Sequence, residues 1–278
     1  MERIKEALER ARKAREQTPQ GRAVGHTQAQ TQRRSPHKAP VEQKIVYTET
    51  RQVDVSPEYL RQQRVISGAA DPVATYYSVL RTHVVQRMRT NQWRSLAVTS
   101  PAQGAGKSLT AVNLAISLAR EVNQTVLLVD LDLKRPRVRS CFTPEHLPGV
   151  SDYLLDDAPL SELLFNPGVE RLVVLPGHKS LTHSSEILSS PKMVHLVEEM
   201  KSRYPSRLVI FDMPPVLACD DVLAFSPYFD AALLVADEGG TRKEDLKRSI
   251  ELLGKTHLMG TVLNKSRESQ SGYGYGYY

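Results

Sequence analysis

The sequence predicts an α/β fold, a mostly parallel sheet with helices on both faces. Two observations carry that prediction. Six short apolar runs, at residues 96–98, 125–130, 172–175, 208–211, 231–236 and 259–263, alternate with stretches of helical spacing. Strands that alternate with helices, each an unbroken apolar run, belong to a parallel sheet buried on both sides. The second observation is residues 95–110, SLAVTSPAQGAGKSLT, followed by a helical pattern. Strand, glycine-containing turn and helix are the context that a phosphate-binding P-loop requires.

Within that loop, Gly104 and Gly106 let the backbone curl so that N–H groups point inward at a phosphate. The helix opening near Lys107 adds unpaired N–H groups and its positive dipole end. Lys107 is placed to reach the β- and γ-phosphates, and the Ser108 hydroxyl to hold Mg²⁺. Ala105 and Leu109 complete the nucleotide-binding loop. The strict pattern G-x-x-x-x-G-K-[ST] is not met, because Pro101 stands at the first glycine position.

In chain order, residues 1–16 carry Glu-to-Arg/Lys pairs at i, i+4 (Glu6–Arg10, Glu9–Lys13), which favour a helix with a thin apolar stripe. Residues 17–44 are rich in Gln, Thr, Pro, Gly and Arg and are expected to be disordered. Residues 45–70 hold short apolar patches that would lie extended over the core. Together, residues 1–70 form an expected basic, largely disordered arm: 14 Lys/Arg against 8 Asp/Glu, the whole of the chain's net +6. The remaining residues hold 23 of each sign. Such an arm suits anionic lipid, nucleic acid or an acidic partner, or is simply a solvated linker.

Residues 71–265 form the expected P-loop domain. It begins with an amphipathic helix over 71–91 whose apolar positions are Val73, Tyr76, Tyr77, Val79, Leu80, Val84, Val85 and Met88. Pro136 fits the first turn of a helix after the second strand. Short helices are expected at 150–157 and 161–164, a longer one at 185–204 with Pro191 near a boundary, and one at 242–253 stopped by Gly254. Residues 266–278 are a low-complexity tail with Tyr273, Tyr275, Tyr277 and Tyr278 spaced by glycines. Cys141 and Cys219 form no metal-ligand spacing and read as reduced thiols. No apolar run approaches the ~20 residues that span a bilayer, and no signal-peptide core is present, so a cytoplasmic location is expected.

Three aspartates close strands: Asp130 ends TVLLVD, Asp132 follows it, and Asp212 ends the run at 208–211. In a parallel sheet, ligands sit beyond the carboxyl ends of the strands, where the P-loop also lies. Lys107, Ser108, Asp130, Asp132 and Asp212 should therefore converge on one cleft. Asp212 is placed to hold Mg²⁺ with Ser108. The other two carboxylates exceed what metal binding needs, and one can accept a proton from an attacking hydroxyl.

The set SPAQGAGKS, VLLVDLDLKRP and LVIFDMPP resembles the Walker A, Walker A′ and Walker B motifs of bacterial tyrosine kinases. From about residue 71 to 265 the chain is similar to that family, and its wording is closest to the exosortase-associated tyrosine autokinases of polysaccharide biosynthesis. The tyrosine-rich tail matches the family's autophosphorylation cluster. Cell-division and partitioning ATPases share this fold but carry a signature lysine where this chain has Ala102. They remain the alternative reading, as P-loop ATPases with nucleotide-dependent assembly.

The resemblance implies an ATP- and Mg²⁺-dependent tyrosine autokinase that phosphorylates its own tail in trans and regulates exopolysaccharide or capsule biosynthesis and export. It implies that Lys107 binds phosphates and that Ser108, Asp132 and Asp212 form the metal shell. Asp130 would accept the tyrosine proton, with the roles of Asp130 and Asp132 exchangeable. Asn264 would sit where fold relatives touch the adenine. The implied partner is a separate membrane-bound polysaccharide chain-length or co-polymerase protein, which would recruit the kinase to the inner face of the membrane. No nucleic acid is expected. Self-association is implied too, but Thr75, Ser78 and Arg81 stand where many members have Glu-x-x-Arg-x-x-Arg for ring assembly, so the ring's stoichiometry stays open.

Overall fold

The computed structural model describes residues 50–266 apart from 69, 122–123 and 205. The first 49 residues, including the expected helix at 1–16 and the segment 17–44, lie outside the described residues, as does the tyrosine cluster. The described chain runs β1 (Arg51–Gln52), α1 (Pro57–Gln62), α2 (Pro72–Asn91), β2 (Ser95–Thr99), α3 (Lys107–Ala119) and β3 (Thr125–Asp130). It continues with α4 (Val138–Phe142), α5 (Val150–Asp156), α6 (Leu160–Leu163), β4 (Phe165–Asn166), β5 (Leu172–Leu175), α7 (Ser184–Leu188) and α8 (Pro191–Ser202). Then come β6 (Arg207–Asp212), α9 (Asp221–Phe225), β7 (Ala231–Asp237), α10 (Lys243–Leu252) and β8 (Leu258–Asn264).

The strands form one eight-stranded sheet in the order β1-β4-β5-β3-β6-β2-β7-β8, parallel throughout except where β4 meets β5. All six strands expected from the apolar runs are present. Side chains alternate strictly between two cores, as the pleat requires. Leu96, Val98, Val126, Leu128 and Ile210 face the layer that holds α2 and α3. Ala97, Leu127, Val129, Val209 and Phe211 face α8 and α9. Because both sides are covered, every inner strand reads as continuous apolar sequence.

The helix α3 is the hub of the first layer. Every residue from Thr110 to Ala119 is buried, and two of its polar members are hydrogen-bonded: Asn113 accepts the Ile66 N–H at 2.9 Å and the Ser117 hydroxyl donates to the Tyr77 carbonyl at 3.1 Å. The side chain of Asp71 caps α2 by accepting from the Val73 N–H at 3.0 Å, and Pro72 opens its first turn. The expected apolar stripe of α2 is half right. Val84, Val85 and Met88 are buried with Ala74, whereas Val73, Tyr76 and Val79 face solvent. The packed face is set by α3, against which small and polar positions fit: Arg81 donates to the Ser117 carbonyl and pairs with Glu121 at 3.2 Å. Arg81 is thus tied within its own chain.

Three further differences concern boundaries. Residues 51–66 of the expected arm are part of the fold: β1 extends the sheet, and Val53, Leu60, Val65 and Ile66 enter the core. Pro136 lies outside the helix it was expected to open, because α4 begins at Val138. The helix at 185–204 is two helices, and Pro191 opens the second behind a Ser190 cap.

Candidate nucleotide-binding and phosphotransfer site

The carboxyl ends of β3, β6 and β2 are adjacent, and the register sets Asp130 directly beside Asp212. The P-loop leaves β2 at the same edge. Pro101, in the first glycine position, is buried and anchors the start of the loop. The Ser100 hydroxyl donates to the Ala102 carbonyl at 2.7 Å, and the Val216 N–H donates to the Ser100 carbonyl at 2.9 Å. Gly104 and Gly106 have φ of +83° and +93°, a region that L side chains rarely adopt. At Gly106 the restriction is double, since an added Cβ would lie 2.1 Å from the Asn264 side-chain nitrogen. Gly106 is also the N-cap of α3 and has no side chain to cap it, so the first N–H groups of that helix are left for a ligand.

At the mouth of the loop, Lys107 Nζ lies 2.8 Å from Asp132 Oδ2, 3.4 Å from Asp212 Oδ1 and 3.2 Å from the Ser108 hydroxyl. Burial acts against the charge of Lys107, but Asp212 and Asp132 outweigh it and hold its pKa above the usual lysine value. Asp212 is wholly buried and its pKa is raised by that burial, against the opposing pull of Lys107. Its Oδ2 has no hydrogen-bond partner. A cleft of ≈ 640 Å³ opens over this group, lined by Gly104, Gly106, Lys107, Ser108, Leu109 and Asp132.

Asp130, like Asp212, is set back from the cleft, and its carboxylate is turned to the loop that follows β3. It is completely buried and does not line the cleft. Its Oδ2 accepts the N–H groups of Arg137 and Val138 at 2.8 and 2.9 Å, and Oδ1 accepts that of Asp132 at 3.2 Å. Burial and the neighbouring Asp212 push its pKa up to about 7. Its geometry is that of a residue shaping the 130–138 loop, whereas Asp132 reaches the cleft. Asn264 is likewise turned to the loop: its amide donates to the Ala105 carbonyl at 2.8 Å. The four tail tyrosines lie outside the described residues.

The cleft also holds residues that the sequence reading passed over. Lys134, Arg135 and Arg137, which follow Asp132 closely in sequence, line it. Their number and position just after Asp132 were a usable signal for binding anionic groups. Lys134 Nζ sits 3.4 Å from Asp221, a fully buried carboxylate with no hydrogen-bond partner for either oxygen. Cys141 and Cys219 line the cleft too, and burial pushes their thiols up to about 12 and about 11, so both stay protonated.

Comparison with known proteins decides the family. Residues 94–236, half of the chain, match the AAA domain family. The tyrosine-protein kinase YwqD of Bacillus subtilis is 33% identical over 221 residues, which span 77% of this chain and 92% of that protein. The chain belongs to the bacterial tyrosine-protein kinases. Two solved structures agree at the level of the fold and the domain. The kinase domain of Escherichia coli tyrosine kinase ETK superposes with a TM-score of 0.67 at 26% identity, over 82% of this tyrosine kinase and 94% of that domain. The chimerical protein CapA2B2 gives the same TM-score of 0.67 at 25% identity, over 78% and 93%. The P-loop found in this tyrosine kinase is therefore the ATP-type loop of its family. Among its described residues no helix is long and apolar enough to cross a membrane.

Proposed function

We propose that this kinase transfers the γ-phosphoryl group of ATP to Tyr273, Tyr275, Tyr277 and Tyr278, one chain acting on the tail of another. The observation that carries the reading is Lys107 held between Asp132 and Asp212 at the mouth of the P-loop. A lysine so placed can move from carboxylates to phosphates when nucleotide binds, which releases both aspartates for other work.

The residues fit Mg²⁺. The Ser108 hydroxyl and the Asp212 carboxylate are hard oxygen donors, and the buried Asp212 Oδ2 lacks any partner. Among the described residues no cluster of three His, Cys, Asp or Glu forms a complete metal centre. Such a site suits an ion that keeps waters and takes phosphate oxygens. When bound, Mg²⁺ supplies neutralisation of phosphate charge.

In the reaction, the tyrosine oxygen attacks the γ-phosphorus while the bond to the β,γ-bridging oxygen breaks. ADP leaves with that electron pair, and the phenolic proton passes to a carboxylate. Of the two aspartates left open by sequence, Asp132 is favoured as acceptor because it lines the cleft. Asp130, with three backbone N–H groups on its carboxylate, is then the positioning residue that orders the loop carrying Asp132. Lys134, Arg135 and Arg137 add positive charge around the phosphates. Asn264 holds the P-loop backbone through its amide nitrogen.

The reading extends to regulation of exopolysaccharide or capsule biosynthesis and export. A membrane-bound chain-length or co-polymerase protein is the proposed activator, and the basic 1–70 segment is suited to an acidic partner or an anionic membrane face. The test is phosphotyrosine immunodetection on the purified full chain with ATP and Mg²⁺, beside Lys107→Met. The wild type should be labelled and the variant blank. Equal labelling of both would overturn the assignment.

A further inference from the structure

At the sheet edge opposite the nucleotide cleft, a second cavity of ≈ 480 Å³ opens where strands begin rather than end. Arg94 precedes β2, Gln124 precedes β3 and Arg207 opens β6, three strands adjacent in the sheet. Arg89, from the last turn of α2, completes a set of three guanidinium groups. No carboxylate is among the described residues that line this cavity. The floor is apolar, made by Val85, Met88 and Leu208, all buried. Trp93 stands in the wall, its ring 5.2 Å from that of His257.

Two features point to a ligand. Gln124 is only 9% exposed, and its side-chain nitrogen has no hydrogen-bond partner. A buried donor without an acceptor is costly, and here it shares a cavity with three cations. The Arg207 guanidinium is stacked 4.1 Å from the centre of the Tyr204 ring, which fixes the plane of its donors. The cavity thus combines guanidinium donors for an oxyanion, one of them held in plane by stacking, with an apolar floor and an indole for a flat ring. Free phosphate would use only the donors, and an apolar ring only the floor.

We propose that this cavity binds an aryl phosphate, the phosphotyrosine that the kinase reaction makes. The ligand's identity rests on the proposed function, whereas the cavity's chemistry does not. The phosphate would lie among Arg89, Arg94 and Arg207, where guanidinium forks match its oxygens, with the ring against Val85, Met88 and Trp93. Twelve residues separate Ser266 from Tyr278, about 40 Å when extended. A strand of this sheet is about 20 Å long, so the tail of the same chain or of a neighbour can reach. The kinase then carries a reader for its own product, on the far side of the sheet from the site that makes it.

Trp93 is the chain's single tryptophan, so its fluorescence reports this cavity. The probe is phenyl phosphate, titrated into the full chain with the four tail tyrosines changed to Phe. ATP is omitted, and saturating ADP blocks the P-loop cleft. A saturable change in emission is expected. Binding should weaken at least about tenfold in the Arg89→Gln/Arg207→Gln variant, while ADP affinity stays at the parent value and shows that the variant is folded. Inorganic phosphate and phenol should each bind at least about tenfold more weakly than phenyl phosphate. Unchanged emission, equal affinity in the variant, or inorganic phosphate binding as tightly as phenyl phosphate would each overturn the proposal. Wild-type chain first incubated with ATP and Mg²⁺ should bind the probe less well. That loss survives dilution if the competing tail is the chain's own and disappears if it is a neighbour's. Because no turnover is measured in the titration, failure of this site and failure of the kinase assay are separate results.

Discussion

The Asn264 side-chain amide donates to the Ala105 carbonyl at 2.8 Å, joining the end of the edge strand β8 to the middle of the P-loop across 159 residues of sequence. The same nitrogen occupies the space where a Cβ at Gly106 would fall. The loop's shape therefore depends on a side chain from the last strand as well as on its own glycines.

Gly106→Ala should weaken ADP binding more than tenfold and lower the thermal unfolding midpoint. Both the clash at 2.1 Å and the φ of +93° act against it. Adding Asn264→Ala removes the clash but not the backbone strain, so the double variant should recover part of the stability lost. No recovery at all would show that backbone strain alone is responsible.

Asp212→Asn should reduce nucleotide affinity in the presence of Mg²⁺ more than in its absence. The change removes the charge that pairs with Lys107 and that the proposed function assigns to Mg²⁺. Calorimetric titration of ADP with and without Mg²⁺ checks this, and an equal loss in both would make Asp212 a structural partner of Lys107 alone.

Lys134→Met should destabilise the protein by about 1–3 kcal/mol, because it leaves Asp221 as a buried charge with no compensation; a fully buried pair would cost more, but Lys134 is partly exposed. Adding Asp221→Asn should restore most of that loss. Urea unfolding of the two single variants and the double one measures the coupling. Additive losses would mean that the 3.4 Å contact carries no energy.

Asp230 gives a pH dependence. Its carboxylate accepts the N–H groups of Arg94 and Ser95 at 2.7 and 2.8 Å and pairs with Lys201 at 2.8 Å. Burial opposes ionisation, but Lys201 and the Arg94 N–H prevail and hold its pKa below the ordinary aspartate value. A folded pKa below the unfolded one adds stability that is complete above the unfolded value of about 3.9 and is lost as pH falls through the folded value. The stability gap between wild type and Asp230→Asn should thus be full at pH 7 and close from about pH 5 downward. A gap that stays constant to pH 2 would show that the charge is not what stabilises.

The sheet was legible in the sequence because both of its faces are covered, which turns each inner strand into an unbroken apolar run. The two-residue strands β1 and β4 and the five-residue α9 left no such run, being too short to impose a period. The stripe of α2 was misjudged because its packed face is chosen by α3, against which Ala74 and Arg81 fit better than Val73 or Val79. At the strand ends, the convergence of Lys107, Ser108, Asp132 and Asp212 was legible from motif spacing. What spacing could not give was direction. Asp130 and Asp132 are two residues apart, yet one carboxylate is spent on the N–H groups of residues 132, 137 and 138 and the other faces the cleft.

Lys265 and Ser266, which follow Asn264 directly, lead to the tyrosine-bearing end of the chain. Lys265 is fastened as well, its Nζ 2.8 Å from Asp237 Oδ2. Inward from Ser266, Lys265 is fastened to Asp237 and Asn264 to the phosphate-binding loop. Force arriving from the tyrosine-bearing end would load the Lys265 contact first and then, through Asn264, the phosphate-binding loop.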